Sequence, residues 1–288
     1  MHLVLQGSTQ PVEYLVPADI AEAAAMKGAG ARVLAGGTDV YPEHVGRPFA
    51  GSVVDITGLT KLHGMEASDH AWRFGALMRW ADIAAADLPR RFDGLRAAAR
   101  EVGGIQVQNA GTIGGNLCTA SPAADGVPNL LALDASVELA SPSARRVLPI
   151  EEFLTGYRAT ALERDEILTA VLVPRGDDDS RAAFLKLGLR RYLVISVVMV
   201  SAVVALGEDG LVRVARVAVG ACSPVAVRLR RLEAELRGRS PDELAAVVTP
   251  EHLADLTPID DVRAPAAYRL RAAATLVRRA LDRCGQPR

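Results

Sequence analysis

The chain has few cysteines and no recognisable catalytic motif, and each shortage excludes a class of chemistry. Its three cysteines, Cys118, Cys222 and Cys284, lie far apart and form no Cys-x-x-Cys pair. This spacing argues against a zinc site or an iron–sulfur cluster encoded within the chain, and predicts buried, reduced thiols. The five histidines are scattered, and none pairs with a cysteine or serine in a nucleophile motif. Chemistry is therefore expected to come from a bound cofactor.

The chain also lacks an excess of one charge and a long apolar run. The formal net charge is −1, so nothing favours a nucleic acid or an acidic membrane face as the partner. The most apolar stretch, residues 192–206, is shorter than the roughly 20 residues that span a bilayer, and it predicts a buried strand. The first residues show no secretory pattern. We expect a soluble cytoplasmic protein without membrane insertion.

What the chain does have is two double-glycine segments, each where strand-like sequence breaks. They read Ala-Gly-Gly-Thr-Asp at 35–39 and Thr-Ile-Gly-Gly-Asn at 112–116. Glycine permits positive φ and a close backbone approach, so successive N–H groups can converge on an anion such as a phosphate. One such segment alone is equally typical of an ordinary turn. Two together favour a cradle for a diphosphate.

The pattern of apolar and turn residues predicts an α+β protein with two domains. Predicted helices cover 17–27, 80–86, 95–102, 127–135, 223–236 and 266–284, and predicted strands cover 31–34, 51–56, 72–76, 137–139, 166–173, 183–189, 194–206 and 211–221. A polar run at 175–180 is typical of a linker, so we place the domain boundary between residues 176 and 177. The second domain groups its strands before its helices.

Three ordered segments resemble the signature of one family. They are the two glycine segments, extended to 109–117 for the second, and Ser-Pro-Ala-Ala-Asp-Gly-Val-Pro-Asn-Leu-Leu-Ala-Leu-Asp-Ala at 121–135. In this order and spacing they resemble the FAD-binding medium subunits of molybdenum hydroxylases, whose relatives include the medium subunit of carbon monoxide dehydrogenase and the flavin domain of xanthine dehydrogenase. The resemblance implies a two-part FAD-binding domain of the PCMH type over 1–176, then a smaller α+β C-terminal domain with an antiparallel sheet over 177–288.

The resemblance also implies which residues hold FAD. The two glycine segments would wrap the pyrophosphate, Asp125 would bind the adenosine part, and Lys186 would reach the flavin. Leu168 would touch FAD through its backbone or its apolar surface. The predicted FAD-binding residues are Val33, Leu34, Ala35, Gly36, Gly37, Thr38, Asp39, Val40, Thr112, Ile113, Gly114, Gly115, Asn116, Asp125, Leu168 and Lys186.

The isolated positions have structural alternatives that the sequence leaves open. Asp125 could cap the helix predicted at 127, since a helix start favours negative charge. Lys186 could be a strand residue that extends to solvent, and Leu168 could simply pack in the core. Tyr192 matches a place near the family's isoalloxazine ring, but a half-buried strand tyrosine is an equal alternative, so it stays outside the predicted site.

The resemblance implies an electron-transfer role within a heterotrimer. A small subunit would carry two [2Fe–2S] clusters, a large subunit would hold the molybdenum cofactor, and this chain would pass electrons through FAD to an external acceptor. A dimer of heterotrimers is expected. Two alternatives stay open: a stand-alone FAD-dependent reductase of the same flavin-binding fold, for which no candidate catalytic acid stands out, and a non-catalytic nucleotide-binding or assembly protein, against which the second glycine segment and Asp125 argue.

Overall fold

The computed structural model describes residues 13–46, 51–190 and 194–286, and its first unit is a small parallel sheet with a covering helix. The elements are β1 (Glu13–Leu15), α1 (Ile20–Gly28), β2 (Arg32–Leu34), α2 (Val40–Glu43) and β3 (Ser52–Asp55). β3 pairs in parallel with both β1 and β2. Asp19 fixes the start of α1, because its carboxylate accepts a hydrogen bond from the Glu22 N–H at 2.9 Å. β2 leads directly into the first glycine segment.

The second unit is a five-stranded antiparallel sheet covered by short helices. Its elements are β4 (Met65–Ala67), β5 (Ala71–Gly75), α3 (Trp80–Ala85), α4 (Asp93–Glu101), α5 (Ile105–Ala110), α6 (Ile113–Thr119), α7 (Val127–Ala132), β6 (Ser136–Ala140), β7 (Arg145–Pro149), α8 (Ile150–Phe153), β8 (Leu154–Gly156), β9 (Ala159–Thr160) and β10 (Ile167–Pro174). The strand order is β4-β5-β10-β6-β7, while β8 and β9 form a separate hairpin. Buried Trp80, Phe74 and Phe92 fill the core beneath the sheet.

The C-terminal domain is a four-stranded antiparallel sheet packed against a long helix. Its elements are β11 (Arg181–Leu187), β12 (Val198–Leu206), β13 (Val212–Gly220), β14 (Val227–Arg228), α9 (Arg230–Leu236) and α10 (Ala266–Gly285). α10 packs on β11 and β12. None of the described helices is both long and apolar enough to cross a membrane. The predicted α+β class, with an antiparallel sheet in the second domain, is confirmed.

The two domains share apolar contacts. α4 packs on β11, and α7 packs on β12 and β13. The core of the first domain therefore includes Val203 and Ala218 from the second. The predicted boundary at 176/177 lies in the connection between β10 and β11.

Several predicted helices have different bounds in the structure. The helix predicted over 223–236 is helical only in α9, because residues 227–228 form β14 and pair with the end of β13. The helix predicted over 127–135 ends at Ala132, and Asp134 adopts a left-handed φ of 53°. Helix α5 was not predicted. This short segment lies between Gly104 and Gly111. Because glycines are weak helix formers, local helix propensity does not indicate a helix there.

Candidate functional site

A cavity of about 930 Å³ opens where the two units of the first domain meet the start of the second domain. Its size is near the upper end of the roughly 300–1,000 Å³ typical of ligand sites. Twelve of the sixteen predicted FAD-binding residues line it. They are Val33, Ala35, Gly36, Thr38, Asp39, Val40, Thr112, Gly114, Gly115, Asn116, Asp125 and Leu168. The structure thus brings both glycine segments to one cavity.

The other four predicted residues are not in the cavity lining. Leu34 and Ile113 are buried hydrophobic residues of the core. Gly37 has a left-handed φ of 70° that glycine adopts without strain, so it shapes the connection from β2 to α2. Lys186 is bonded to Asp125 and lies behind it.

The first glycine segment offers free backbone donors. Within the described residues, the N–H groups of residues 36–39 donate no hydrogen bond to another protein atom. A Cβ built on Gly36 would lie 1.9 Å from the carbonyl oxygen of Ala110. Glycine is therefore required at position 36 because the two backbones approach closely, whether or not a ligand binds. The two glycine segments are held together at this point.

The second glycine segment is a helix start, which corrects the prediction of a turn. Thr112 is the N-cap of α6, and its hydroxyl oxygen accepts a hydrogen bond from the Gly115 N–H at 3.0 Å. The Gly114 N–H donates to the carbonyl of Ala76 at 2.9 Å. A Cβ on Gly114 would lie 2.7 Å from that same oxygen. These glycines therefore serve close packing, and their N–H groups already have partners.

Asn116 contributes a side chain whose bonding is incomplete. It lines the cavity from α6, and its Oδ1 is buried without a hydrogen-bond partner among the described residues. A buried amide oxygen left unpaired is costly, and such atoms often mark a missing ligand or water. Asn116 therefore fits a site that is completed by a polar ligand.

Asp125 and Lys186 form a buried ion pair that the sequence did not reveal. Lys186 Nζ lies 2.7 Å from Asp125 Oδ2, and Ser196 Oγ donates to Asp125 Oδ1 at 2.8 Å. Burial raises the pKa of the Asp125 carboxyl, which the Lys186 ammonium and the Ser196 hydroxyl oppose. The cap of α7 is Gly126, with no side-chain hydrogen bond, so the capping alternative for Asp125 is wrong. Lys186 does not extend to solvent either.

A group of exposed charges that the sequence analysis missed lies along another part of the cavity lining. Arg158, in the β8–β9 hairpin, donates to Asp39 Oδ2 at 2.8 Å and to Glu43 Oε1 at 3.1 Å. Glu43 is also paired with Arg32, which lowers the pKa of its carboxyl. Arg158 has a left-handed φ of 50°, which only the structure shows. Asp39 thus bonds across the cavity to the hairpin.

Cys118 faces the cavity, which corrects the prediction that it is buried in the core. It is exposed, while Cys222 and Cys284 are buried as predicted. Its side chain is open to the cavity, but the protein atoms packed around the thiol disfavour the charged thiolate and raise the pKa to about 11. Lys27, close to it in the lining, donates to the backbone carbonyls of Glu163 and Arg164 at 2.7 and 2.9 Å. Among the described residues no cluster of three or more histidine, cysteine and acidic side chains could hold a metal ion.

The remaining lining residues are apolar. Together with the polar groups described above, they fit a dinucleotide cofactor. Apolar walls come from Ile56, Leu77, Val107, Leu162, Ile167, Leu168 and Ile195. Such walls suit aromatic rings, and the free N–H groups of residues 36–39 suit a diphosphate. Tyr192 lies outside the described residues, so its predicted place near the ring stays a prediction.

Comparisons with known proteins identify the family. The family described as "FAD binding domain in molybdopterin dehydrogenase" matches residues 10–176, and the "CO dehydrogenase flavoprotein C-terminal domain" matches residues 183–284. The nicotinate dehydrogenase FAD-subunit of Eubacterium barkeri is 37% identical over 195 residues, which are 65% of this chain and 66% of that subunit. The putative xanthine dehydrogenase FAD-binding subunit of Escherichia coli K12 is 30% identical over 258 residues, 88% of each chain.

A solved structure agrees with these matches. A chain of the carbon monoxide dehydrogenase of Hydrogenophaga pseudoflava, in a form that lacks the Mo-pyranopterin moiety of the molybdenum cofactor, superposes with a TM-score of 0.85 at 27% identity. The match covers 96% of this chain and 98% of that one. The resemblance seen in the sequence and the two-domain FAD-binding fold are both confirmed. This chain belongs to the family of FAD-binding medium subunits of molybdenum hydroxylases, and is an oxidoreductase subunit.

Proposed function

We propose that this chain binds FAD in the 930 Å³ cavity and passes electrons from the [2Fe–2S] clusters of a small partner subunit to an external acceptor. The observation that carries the proposal is the meeting of both glycine segments in one cavity, with the N–H groups of residues 36–39 free. Bound FAD would supply the redox chemistry, since it can exchange electrons with both kinds of partner. A large subunit would hold the molybdenum cofactor.

The residues of the chain would bind, orient and shield the cofactor. Backbone N–H groups of the lining residues 36, 38 and 39 would donate to the diphosphate, while the unpaired Oδ1 of Asn116 would accept a hydrogen bond from a hydroxyl or amino group of the cofactor. Leu168 and the other apolar lining residues would exclude water from the ring systems, which strengthens polar contacts within the site. Asp125 would contact the cofactor from the cavity wall, as expected from the sequence, and Lys186, which is bonded to Asp125, would hold that carboxylate in place.

Partner subunits are supported by the relatives, which are named as FAD subunits of dehydrogenases. The dimer of heterotrimers and the cytoplasmic location expected from the sequence remain proposals. Substrate choice would belong to the large subunit, because the chemistry at the molybdenum cofactor happens there.

An absorption spectrum tests the cofactor and the partners together. The chain is purified alone and after co-expression with its genomic neighbours, and the released cofactor is identified by chromatography. We expect FAD in both preparations and iron–sulfur absorbance with two further subunits in the second. FAD without any partner, together with NADH oxidation by the chain alone, would favour the stand-alone reductase. The absence of flavin from both preparations would refute binding in this cavity.

Electron transfer is tested separately by rapid mixing. The small subunit with reduced [2Fe–2S] clusters is mixed anaerobically with the FAD-loaded chain, and the flavin absorbance is followed. Bleaching of the flavin band, with return of the oxidised cluster spectrum, is the expected result. A flavin band that stays unchanged while the clusters remain reduced would contradict the electron route, even if the FAD site itself is correct.

A further inference from the structure

A chain of ion pairs crosses the edge of the cavity beside the first glycine segment. Arg158 Nη2 donates to Asp39 Oδ2 at 2.8 Å and to Glu43 Oε1 at 3.1 Å. Glu43 is also paired with Arg32. On the other side, Thr119 Oγ1 donates to Asp39 Oδ2 at 3.2 Å. All five residues line the cavity, so these contacts join β2, α2, the β8–β9 hairpin and α6 around one edge of it.

Helix α2 has little apolar packing of its own. It spans four residues, none of them buried. No side chain caps its start, because the Asp39 carboxylate is bonded to Arg158 and Thr119 instead. So short a helix is unstable in isolation, and elements with few buried contacts open at low free energy. The position of α2 therefore depends on the ion pairs of its two carboxylates.

The β8–β9 hairpin is fixed more firmly than α2. Phe153 and Leu154, at its start, are buried in the core of the first domain. At its tip, the Arg158 N–H donates to the carbonyl of Ala120, at the end of α6, at 3.0 Å. The guanidinium of the same residue then reaches across to α2. The hairpin is thus the fixed side of this contact, and α2 is the side that can move.

Movement of α2 would change the part of the site that meets the diphosphate. The free N–H groups of residues 36–39 lie immediately before α2 in the chain. The ring of Tyr41, in α2, packs over Gly37, where an added Cβ would lie 2.3 Å from it. A shift of α2 away from Arg158 would therefore uncover this segment and widen the cavity.

We propose that Arg158 is a positioning residue that latches α2 across the FAD cavity and so controls the rate at which the cofactor enters and leaves. The inference rests on FAD binding in the cavity. FAD would pass while α2 is displaced, and Arg158 would keep α2 closed in the free and in the loaded protein alike. Loss of the latch would therefore speed binding and release together and leave the affinity nearly unchanged.

A charge-neutral double variant tests the latch. Glu43→Gln with Arg158→Gln removes one negative and one positive charge, so the net charge beside the diphosphate is kept while α2 loses its ion pairs to the hairpin. The side chains of Arg158, Asp39 and Glu43 are between 38% and 51% exposed. Because exposed ion pairs contribute modestly, we expect the rate constants of binding and of release each to rise about three- to fivefold. The Kd for FAD should change less than about twofold.

Both rate constants are measured on the full-length chain. Binding is followed by flavin fluorescence after rapid mixing of the flavin-free chain with FAD, and release by transfer of FAD to an excess of a flavin-free acceptor protein. Direct contact between Arg158 and the cofactor predicts faster release with unchanged binding, so that the Kd rises by the same factor. That pattern, or wild-type rates in the double variant, would overturn the inference.

An exposed ion pair away from the cavity provides the matched control. Glu151 and Arg230 are 2.5 Å apart, with side chains 45% and 60% exposed, and neither lines the FAD cavity. Glu151→Gln with Arg230→Gln removes the same two kinds of charge. Both rate constants should stay within about 1.5-fold of the wild-type values. An equal acceleration in this control would assign the effect to general destabilisation and overturn the latch.

Hydrogen exchange of the flavin-free chain measures the opening of α2 without the cofactor. The Glu43 N–H donates to the carbonyl of Asp39 at 3.3 Å, and the His44 N–H to that of Tyr41 at 3.0 Å. Exchange in a peptide covering residues 36–46, read by mass spectrometry, should be about three- to fivefold faster in the latch variant. The control variant should exchange at the wild-type rate.

The outcomes separate this inference from the proposed function. A wild-type chain that takes up no FAD refutes the function, while exchange of the flavin-free chain still decides whether Arg158 fastens α2. A wild-type chain that binds FAD, with exchange unchanged in the latch variant, keeps the function and overturns the inference. Faster exchange with unchanged FAD rates overturns it as well, because α2 would then open without controlling the cofactor.

Discussion

Replacing Gly36 with alanine tests whether the two glycine segments hold each other in place. The alanine Cβ would lie 1.9 Å from the carbonyl oxygen of Ala110 and 2.7 Å from its carbonyl carbon. Favourable contact between nonbonded atoms begins near 3.5 Å, so the two backbones must separate by about 1.5 Å. No side-chain rotation relieves the clash, because the neighbours are backbone atoms.

We expect Gly36→Ala to lower the free energy of unfolding by a large amount for the addition of one methyl group. Forcing extra atoms into a close-packed region costs about 1–3 kcal/mol, and a backbone clash on this scale belongs at the upper end. At about 3 kcal/mol the folding equilibrium constant falls ~150-fold. For a chain of this size, with an unfolding entropy of about 2.1 cal/mol/K per residue, the unfolding midpoint falls by about 5 °C. FAD affinity should fall as well, because the same connection carries the free N–H groups.

Thermal unfolding of the flavin-free protein is the assay, and Gly58→Ala is the matched control. Gly58 has nothing within 4 Å of its added Cβ and no left-handed φ. Its replacement should shift the midpoint by less than about 2 °C. A Gly36→Ala protein with the wild-type midpoint and wild-type FAD affinity would refute the reasoning. A normal midpoint with lost FAD affinity would show that ligand approach alone requires the glycine.

Three further predictions test the cap, the thiol and one carboxylate. Thr112→Val removes the cap of α6 and should cost about 1 kcal/mol of unfolding free energy, while Thr112→Ser should cost little, and equal losses in the two variants would contradict the cap. FAD should slow alkylation of Cys118 by maleimide, read by mass spectrometry with Cys118→Ser as the unlabelled control, and equal rates with and without FAD would place the ligand elsewhere. Burial raises the pKa of Asp261, but the backbone N–H groups of Arg263 and Ala264, with the Arg269 guanidinium, prevail and lower it to about 2. Because the folded pKa lies below the unfolded value of about 3.9, this stabilisation is present above about pH 4 and is lost as the pH falls through about 2. The gap in unfolding free energy between wild type and Asp261→Asn should therefore narrow between pH 4 and pH 2, and a gap that is independent of pH would contradict this assignment.

The glycine segments could be predicted from sequence because their information is local. Their residue types and order sufficed to bring twelve of sixteen predicted residues to one cavity. Their local conformation was harder to predict. The segment at 112–116 begins a helix, because Thr112 supplies a cap that outweighs the poor helix propensity of two glycines.

The partners of the charged residues could not be predicted, because they are set by the tertiary fold. Asp125 and Lys186 are 61 positions apart, and Asp39 and Arg158 are 119 apart. The sequence predicts roles for Asp39, Asp125 and Lys186 one at a time, with a helix cap or a ligand as the alternatives for Asp125, and it does not single out Arg158. Ser196 stands out in the sequence as a hydroxyl within a Val- and Ile-rich run. The run itself does not indicate that its hydrogen-bond partner is Asp125.

The pairing of the cations around the cavity affects how FAD responds to salt. Lys27 is held by two carbonyls, Arg32 by Glu43, and Arg158 by Asp39 and Glu43. Within the described lining, the diphosphate would thus be met by fixed backbone dipoles instead of a mobile lysine or arginine. Salt screens exposed charges far more than buried dipoles. Equilibrium retention of the cofactor would then depend only weakly on ionic strength, mainly through the charge of Lys27, which its two carbonyl partners do not neutralise.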